Sequence, residues 1–492
     1  MALVTPVDTV PVDQLGRVHF IGIGGAGMSG IARVMLARGV PVSGSDAGSA
    51  PMLAELAALG ADVHAGHDAA HLGQADTVVV SSAIRPSNPE LAAARDRNLR
   101  VLPRAAALAS IMIGRRATAI AGTHGKTTTT SMLTTILREC GADPGYVIGG
   151  VLAETGRGAE DGGGPDLVVE ADESDGSFLM LSPYVAVITN VEADHLDNYS
   201  GLDEIRAAFE AFARRITPGG ALITCADDTG AQAVAEASRA RDIRVRSYGE
   251  AATADYRISQ FRPRGMGSTF VLTAGPNSAG PNGLDPFEST VTVAVPGRHN
   301  VLNAAAAIAA ATELGVPGPQ AAAALAAYRG AHRRMEPKGE ADGVRVLDSY
   351  AHHPTEVAAD LAAARDLADG GRVLAVFQPH LFSRTRIFAT ELGAALGRAD
   401  EAVVLDIYAA REDPEPGVTG QLVADAVPDG RGYFRPGPLA AVPAVMADLA
   451  KPGDLVLTMG AGDVTTLGPA IVAALRARGA GTPSPATEET SG

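Results

Sequence analysis

Short runs of apolar residues alternate along most of this chain with stretches in which apolar side chains recur every three or four positions, and nearly every run ends at glycine or a polar residue. Val18 to Ile23, Val40 to Ser43 (ending near Asp46) and Thr77 to Val80 predict strands in a first segment, with a helix over Met28 to Arg38. Ala117 to Ala121, Leu167 to Val169 and Val185 to Thr189 predict strands in a second segment, where Asn303 to Thr312 reads as an alanine-rich helix. Val344 to Leu347, Val373 to Phe377, Ala402 to Leu405 and Leu455 to Met459 predict strands in a third. Runs without alternation suit strands covered by helices on both faces, so the sheets are expected to be mainly parallel. The expected fold class is α/β in three domains: Rossmann-like over residues 1–110, a central domain with a mostly parallel sheet over 111–330, and a second Rossmann-like domain over 331–478. Residues 479–492 are expected to form a disordered tail, and the Gly-, Pro-, Asn- and Asp-rich stretches 154–166 and 275–286 surface loops.

The most pointed chemistry lies in the central segment. The strand at Ala117 to Ala121 runs into Gly122-Thr123-His124-Gly125-Lys126-Thr127-Thr128, after which Met132, Leu133, Ile136, Leu137 and Cys140 recur at helical spacing. A glycine-rich turn from strand to helix N-terminus gathers unpaired backbone N–H groups and the positive end of the helix dipole at one point, which favours phosphate. Lys126 adds a point charge and Thr127 a hydroxyl that can reach Mg2+. The loop is shorter than the usual phosphate-loop spacing, which would place a glycine where Ile120 stands. Composition strengthens the reading: lysine occurs only three times, at Lys126, Lys338 and Lys451, among 40 basic residues, so Lys126 is not one solvating lysine of many. The central domain is expected to be P-loop ATPase-like and to handle a nucleoside triphosphate.

Charge and cysteine usage narrow the setting. With 40 basic and 56 acidic residues the net charge is −16, and no basic block of nucleic-acid-binding size occurs, so no nucleic acid is expected as a partner. Cys140 and Cys225 sit in apolar contexts without CxxC or metal-ligand spacing, which suits a reducing cytoplasm. Met1 to Leu15 lacks a basic region followed by an apolar core, and no 18-residue apolar run occurs, so neither a signal peptide nor a membrane span is expected.

Three further clusters carry candidate chemistry. Glu170-Ala171-Asp172-Glu173-Ser174-Asp175 follows a strand beside the phosphate loop, where acids are expected to hold Mg2+ or order its waters; Glu170 is the best placed. Gly22-Ile23-Gly24-Gly25-Ala26-Gly27, with Asp46 roughly 20 positions on, matches a dinucleotide-binding turn in which the acid holds a ribose hydroxyl. An NAD(P)-dependent oxidoreductase would rest on that turn, but it leaves the Lys126 loop unexplained. A protein that uses ATP only to switch conformation is another reading. In the third segment the strands end at Asp348, Gln378, Asp406 and Gly460, which gathers polar groups on one sheet edge.

His19-Phe20-Ile21 with Gly22 to Ser29, Gly122 to Thr128, Glu170 to Asp175, Asp194-His195-Leu196-Asp197, Gly297 to Asn300, Arg333-Arg334, Tyr350 to Pro354, Gln378-Pro379-His380 and Gly460-Ala461-Gly462-Asp463 follow one another as the motifs of the Mur ligases do. From about residue 17 to 475 the chain resembles that family. The stretch Gly22 to Ser29 and the sequence Tyr350-Ala351-His352-His353-Pro354 are most similar to the members that take L-alanine.

The resemblance implies an ATP-dependent amide ligase whose small-molecule substrates are UDP-N-acetylmuramate, L-alanine and ATP, acting as a monomer or homodimer. It implies that the first domain holds the UDP moiety, through Gly22, Gly24, Gly25, Gly27, Met28 and Ser29 with Asp46, His67 and Ser82, and so sets the dinucleotide reading aside. It implies ATP at Gly122, Thr123, His124, Gly125, Lys126, Thr127 and Thr128, with His299, Asn300 and Asn303 at the adenine, and Arg334 and Asp348 reaching in from the linker and third domain. By the same resemblance Thr127 helps hold one Mg2+, while Glu170 and His195 hold a second between ATP and the substrate carboxylate. Tyr350, His352 and Arg384 are implied to bind the alanine or steer the tetrahedral intermediate. The implied catalytic set is Lys126, Glu170, His195, His352 and Arg384. Many members carry an acid where Ser349 stands and a base where Leu381 stands, and residues 196–213 contain no lysine for the carbamylated-lysine device of some members. A murein tripeptide-recycling ligase of the same family would share the ATP site and differ in its acceptor.

Overall fold

The computed structural model describes residues 4, 6–48, 50–81, 83–196, 198–275, 286–410 and 412–480. It divides into two compact units, one of Met1–Val295 with His299–His332 and one of Pro296–Arg298 with Arg333–Gly492.

The first unit contains two sheets. The first is built from β1 (Val18–Ile21), α1 (Ala26–Ala37), β2 (Val42–Asp46), α2 (Ala50–Ala58), β3 (Asp62–Ala65), β4 (Thr77–Val80), α3 (Pro89–Asp96), β5 (Arg100–Pro103) and α4 (Arg104–Met112). Its strands run parallel in the order β3-β2-β1-β4-β5. The winding reverses between β1 and β4, and an open parallel sheet has its ligand crevice at such a switch point, beyond the strand carboxyl ends. β1 stops at Ile21, short of the expected Ile23, because Gly22 turns at φ +83° and the Gly22 and Ile23 N–H groups both donate to Ser45 O, at 2.8 and 3.0 Å. β2 starts at Val42 and not at Val40 because Pro41 has no N–H to enter a ladder; its carbonyl accepts from Val18 N at 3.0 Å.

The second sheet follows with β6 (Arg116–Ala121), α5 (Lys126–Glu139), β7 (Gly145–Leu152), β8 (Arg157–Glu160), β9 (Asp166–Glu170), β10 (Val185–Ile188), α6 (Leu202–Ala213), β11 (Ala221–Cys225), α7 (Thr229–Arg239), β12 (Val245–Gly249), β13 (Tyr256–Arg264), β14 (Gly267–Ala274), β15 (Phe287–Val293), α8 (Arg298–Glu313) and α9 (Gly318–Ala324). The order is β15-β14-β13-β12-β11-β10-β6-β9-β7-β8. β6 lies between β10 and β9, parallel to both, so three strand ends deliver their loops side by side. Nearly every residue of these three strands is buried, as their unbroken apolar runs require. The arm β13 to β15 is antiparallel, and β14 alternates strictly between buried and half-buried positions. β8 occupies part of the stretch 154–166 that composition marks as loop, because two-stranded pairing with β7 needs no apolar run. Along α8, Ala304 to Ala311 are fully buried, so methyl-sized side chains let this helix sit inside the unit. Within the buried α5, the Thr130 and Thr134 hydroxyls donate to the carbonyls of Lys126 and Thr130, both at 2.8 Å, which satisfies them without an outside partner.

The second unit holds β16 (Glu336–Ala341), β17 (Val344–Ser349), α10 (Pro354–Ala368), β18 (Val373–Phe377), α11 (Phe382–Leu396), β19 (Glu401–Leu405), α12 (Gln421–Asp425), β20 (Gly432–Arg435), α13 (Val442–Leu449), β21 (Leu455–Met459) and α14 (Leu467–Ala480). The sheet order is β16-β17-β21-β18-β19-β20, parallel except for β16. α14 extends to Ala480, past the expected start of the tail; residues 481–492 and most of the expected loop 275–286 lie outside the described residues. Among the described residues no helix is long and apolar enough to cross a membrane.

The acid-bearing loop after β9 is anchored by Phe178, which is fully buried and packs on Phe209 and Phe212 of α6 with ring centroids 5.3 and 5.0 Å away. Phe178→Ala is expected to lower unfolding stability of this region by about 3–5 kcal/mol, read by urea denaturation, since a buried ring is lost and a cavity left.

Candidate nucleotide and substrate sites

The phosphate loop is shaped by two glycines with no substitute. Gly122 has φ +135° and Gly125, at the head of α5, φ +81°. A Cβ on Gly122 would collide with Thr189 Oγ1, and one on Gly125 would lie 2.5 Å from Asn303 Oδ1. Asn303 also accepts from Thr129 Oγ1 at 3.2 Å and donates to Asn300 Oδ1 at 3.3 Å, so two of the three residues expected near the adenine are tied to the base of α5. From β10, Asn190 brackets His124, accepting from its N–H at 2.8 Å and donating to its carbonyl at 3.2 Å. The Thr123 hydroxyl accepts from Glu192 N at 2.9 Å, so this expected ATP ligand also staples the loop to the segment after β10. Thr128 is buried at the start of α5, and His299 opens α8 one residue before Asn300.

Lys126 Nζ donates to Gly122 O at 2.6 Å, Thr123 O at 3.2 Å and Glu173 Oε1 at 2.9 Å. Burial pushes its pKa down, but the charges of Glu173, Asp172 and Glu170 outweigh that and hold it above the ordinary lysine value, so the ammonium is charged. Thr127 Oγ1 donates to Glu170 Oε2 at 2.9 Å, and Gly149 N donates to the same oxygen at 2.9 Å. Thr127 and Glu170, expected at two different ions, are thus hydrogen-bonded to each other. His195 stands at φ +52° with Nε2 3.5 Å from Asp194 Oδ2 and 3.7 Å from Glu173 Oε1, so two acids neighbour it. Glu173 Oε2 is buried with no hydrogen-bond partner. The Thr127 hydroxyl and the carboxylates of Glu170 and Glu173, the latter with one unpartnered oxygen, form an oxygen-rich donor set that fits Mg2+. Burial raises the Asp172 carboxyl, but Arg104, 2.8 Å away, and then Lys126 hold it well below the usual carboxylate range.

In the first domain the glycine turn is closed by Asp46: its Oδ2 accepts from Gly24 N at 2.8 Å and its Oδ1 from Gly48 N at 3.0 Å. A carboxylate used in this way shapes the turn. Gly25 caps α1 and accepts from Ser29 N at 2.8 Å. Met28 and Ser29 are buried, with the Ser29 hydroxyl donating to Ala26 O at 3.1 Å, so their side chains belong to packing and only their backbone faces the turn. At Gly27 a Cβ would lie 2.7 Å from Arg104 Nη1, which places a guanidinium against the first turn of α1. Gly22 leads out of β1, and His67 follows β3 with Nδ1 2.9 Å from Ser45 Oγ. Ser82 lies outside the described residues.

The third-segment candidates gather within their own unit. Tyr350 lies between Arg333 and Arg334, whose guanidinium carbons are 5.0 and 5.3 Å from its ring centre, and stacks edge-on with His352 at 5.4 Å. His352 meets His380 at 5.7 Å, and Arg384 Nη1 lies 3.2 Å from His380 Nδ1. Arg334 approaches Glu356 at 3.7 Å. Asp348 is fully buried and accepts from Thr458 Oγ1 at 2.7 Å, Thr465 Oγ1 at 2.8 Å and Arg333 Nε at 3.2 Å. It therefore orients Arg333 within the unit. Ser349 donates to Asp360, and Leu381, at φ +68°, is a buried residue leading into α11, so both make interior contacts.

Sequence reasoning gave no individual role to Glu173, Asn190 or Arg104. Glu173 was visible only as one acid among several, and Asn190 only as the polar end of a strand. Arg104 carries no local signal, since its partners Gly27 and Asp172 are far away in the chain.

Two Rossmann-like sheets, one before and one after in the chain, and between them in sequence a ten-stranded sheet whose strand β6 feeds a lysine-bearing phosphate loop, define a multidomain nucleotide-dependent enzyme. Family profiles described as Mur ligase family, catalytic domain, Mur ligase middle domain and Mur ligase, glutamate ligase domain match residues 17–116, 120–311 and 333–462. The UDP-N-acetylmuramate–L-alanine ligase of Thermobifida fusca is 59% identical over 96% of this chain and 100% of its own, and that of Kineococcus radiotolerans 56% over 95% and 98%. Among solved structures, a UDP-N-acetylmuramate-alanine ligase from Thermotoga maritima aligns with TM-score 0.76 at 28% identity, covering 94% of this chain and 99% of its own. A murein peptide ligase from Psychrobacter arcticus aligns with TM-score 0.68 at 27% identity over the same shares. The chain belongs to the Mur ligase family and is an ATP-dependent ligase.

Gly125→Ala places a methyl group against Asn303 at an unfavourable φ. It is expected to weaken ATP binding by about tenfold or more while leaving the first domain's ligand affinity unchanged, read by titration calorimetry with each ligand.

Proposed function

We propose that this protein joins L-alanine to the lactyl carboxylate of UDP-N-acetylmuramate, giving UDP-N-acetylmuramoyl-L-alanine, ADP and phosphate, in cytoplasmic synthesis of peptidoglycan precursors. The observation that carries the reading is its near-full-length likeness to L-alanine ligases. Residues 1–110 would serve the UDP substrate, 111–330 ATP and 331–478 the amino acid, in a monomer or homodimer without nucleic acid or membrane.

The chemistry begins with two anions that must meet: the lactyl carboxylate attacks the γ-phosphorus of ATP, the bond to the β-γ bridging oxygen breaks, and ADP leaves. Positioning and cationic groups stabilise such a transfer. Lys126 is already charged, and phosphate oxygens are stronger acceptors than the two loop carbonyls it now holds, so its hydrogens are available to the β- and γ-phosphates. The N–H groups at the start of α5 face the same phosphates. Thr127, Glu170, His195 and the orphaned oxygen of Glu173 are the residues that would hold Mg2+, which supplies neutralising charge between nucleotide and carboxylate when bound. The neutral amine of L-alanine then attacks the acyl phosphate; the C–N bond forms, the C–O bond to phosphate breaks, and the amine proton passes to solvent. Tyr350, His352 and Arg384 would bind the alanine carboxylate or steer the tetrahedral intermediate, while Arg334 and the Asp348-anchored Arg333 sit beside Tyr350.

The test is ADP release from ATP and Mg2+ with UDP-N-acetylmuramate, comparing L-alanine, glycine, L-serine, D-glutamate and the tripeptide L-Ala-D-Glu-meso-diaminopimelate. Dependence on L-alanine is expected; dependence on the tripeptide alone would make this a recycling ligase. Lys126→Ala is expected to lower kcat by at least about a thousandfold while leaving UDP-N-acetylmuramate binding intact, since only the transfer step loses its cation.

A further inference from the structure

Glu90, in the first turn of α3, is fully buried. Its carboxylate is gripped from several elements. Ser45 Oγ of β2 donates to Oε2 at 2.5 Å, and His67 Nδ1 lies 3.1 Å from the same oxygen. His71 Nδ1 lies 3.0 Å from Oε1, Asp68 N donates to Oε1 at 3.4 Å, and His19 Nε2 of β1 is 3.8 Å away. Burial pushes the carboxyl up, but the nearby His19 and the hydrogen-bonding Ser45 and His67 hold it down at about 2, so it is an acceptor only at neutral pH.

The tautomers follow from this proton count. The single Ser45 hydroxyl proton is committed to Glu90, so neither oxygen facing His67 Nδ1 can supply a hydrogen, and Nδ1 must carry one itself. The same holds for His71 Nδ1 against Oε1. In the neutral rings each Nε2, on the opposite ring edge, is then a hydrogen-bond acceptor. Both side chains are about one-fifth exposed, and the His71 ring is stacked on His64 at 4.2 Å, which holds it in place. The cluster lies on the side of the first sheet where β2 and β3 end, beyond the glycine turn.

We propose that Glu90 is a positioning residue for the nucleoside half of the UDP substrate: it fixes His67 and His71 with Nδ1–H inward, so that His67 presents Nε2 as an acceptor to the imide N–H of uracil. This rests on the functional reading above. An acceptor at that point pairs with the N3–H of uracil and is repelled by the N3 lone pair of cytosine, so the arrangement selects UDP over CDP.

The test uses the full-length protein and Glu90→Gln, which keeps the side chain's volume but turns one oxygen into an N–H donor. The expected result is about a tenfold rise in KM for UDP-N-acetylmuramate with kcat and the ATP KM unchanged, and a smaller advantage of UDP over CDP as competitor. Nitrogen-15 spectra of the histidine rings are expected to show Nδ1–H for His67 and His71 in the parent and a shift of at least one to Nε2–H in the variant. Adding Glu90→Gln to His67→Ala is expected to cost little further affinity, because the two act as one unit. Unchanged tautomers with unchanged KM would overturn the proposal, as would equal losses of UDP-N-acetylmuramate and ATP affinity, which would make Glu90 a folding residue only. If the parent protein binds ATP but no UDP-linked ligand, the functional reading itself falls, a result separate from the Glu90 comparison.

Discussion

A buried positive charge at the head of α5 is the constraint on which the first unit is built. Lys126 is surrounded by acids supplied by the loop after β9, and its ammonium is at the same time hydrogen-bonded to two carbonyls of its own loop. A charge with that little solvent must be matched locally. Matching it fixes the relation of β6, α5, β9 and the loop bearing His195, because Glu173 faces both Lys126 and His195. Two of the carboxylates that neutralise the lysine, Glu173 and Glu170, are among the groups proposed above to hold Mg2+.

The first sheet solves a comparable problem with opposite signs. There a buried anion, Glu90, is matched by histidines and a serine, and the turn between β1 and α1 is held shut by Asp46. Arg104 connects the two regions: its guanidinium lies against Gly27 at the start of α1 and pairs with Asp172 in the acid loop.

Much of this was legible in the chain. Unbroken apolar runs located β4, β10, β18 and β21 almost to the residue, because strands buried on both faces tolerate little else. Glycines before Lys126 and the acids after β9 marked the turn at the head of α5 and the groups that balance its lysine, since few other residues permit the left-handed turn or balance the charge. What stayed hidden had no local signature. β3 and β20 are short and half-exposed, the antiparallel arm alternates, and β8 lies in a glycine-rich stretch. Asp46 and Asp348 were recognisable as important acids, yet the partners that define their work, Gly24 and Gly48 for one and Thr458, Thr465 and Arg333 for the other, are chosen by packing.

The sequence by itself determined the class of fold, the place of the phosphate loop and the family, because these depend on local pattern: hydrophobic period, glycine at strained turns, and charge just beyond strand ends. The tertiary structure alone decided which acid faces both Lys126 and His195, and that His19, His67 and His71 converge on Glu90 from separate elements. Those are choices among residues of the same type lying tens of positions apart, and only the packing of the sheets brings one of them within hydrogen-bonding distance.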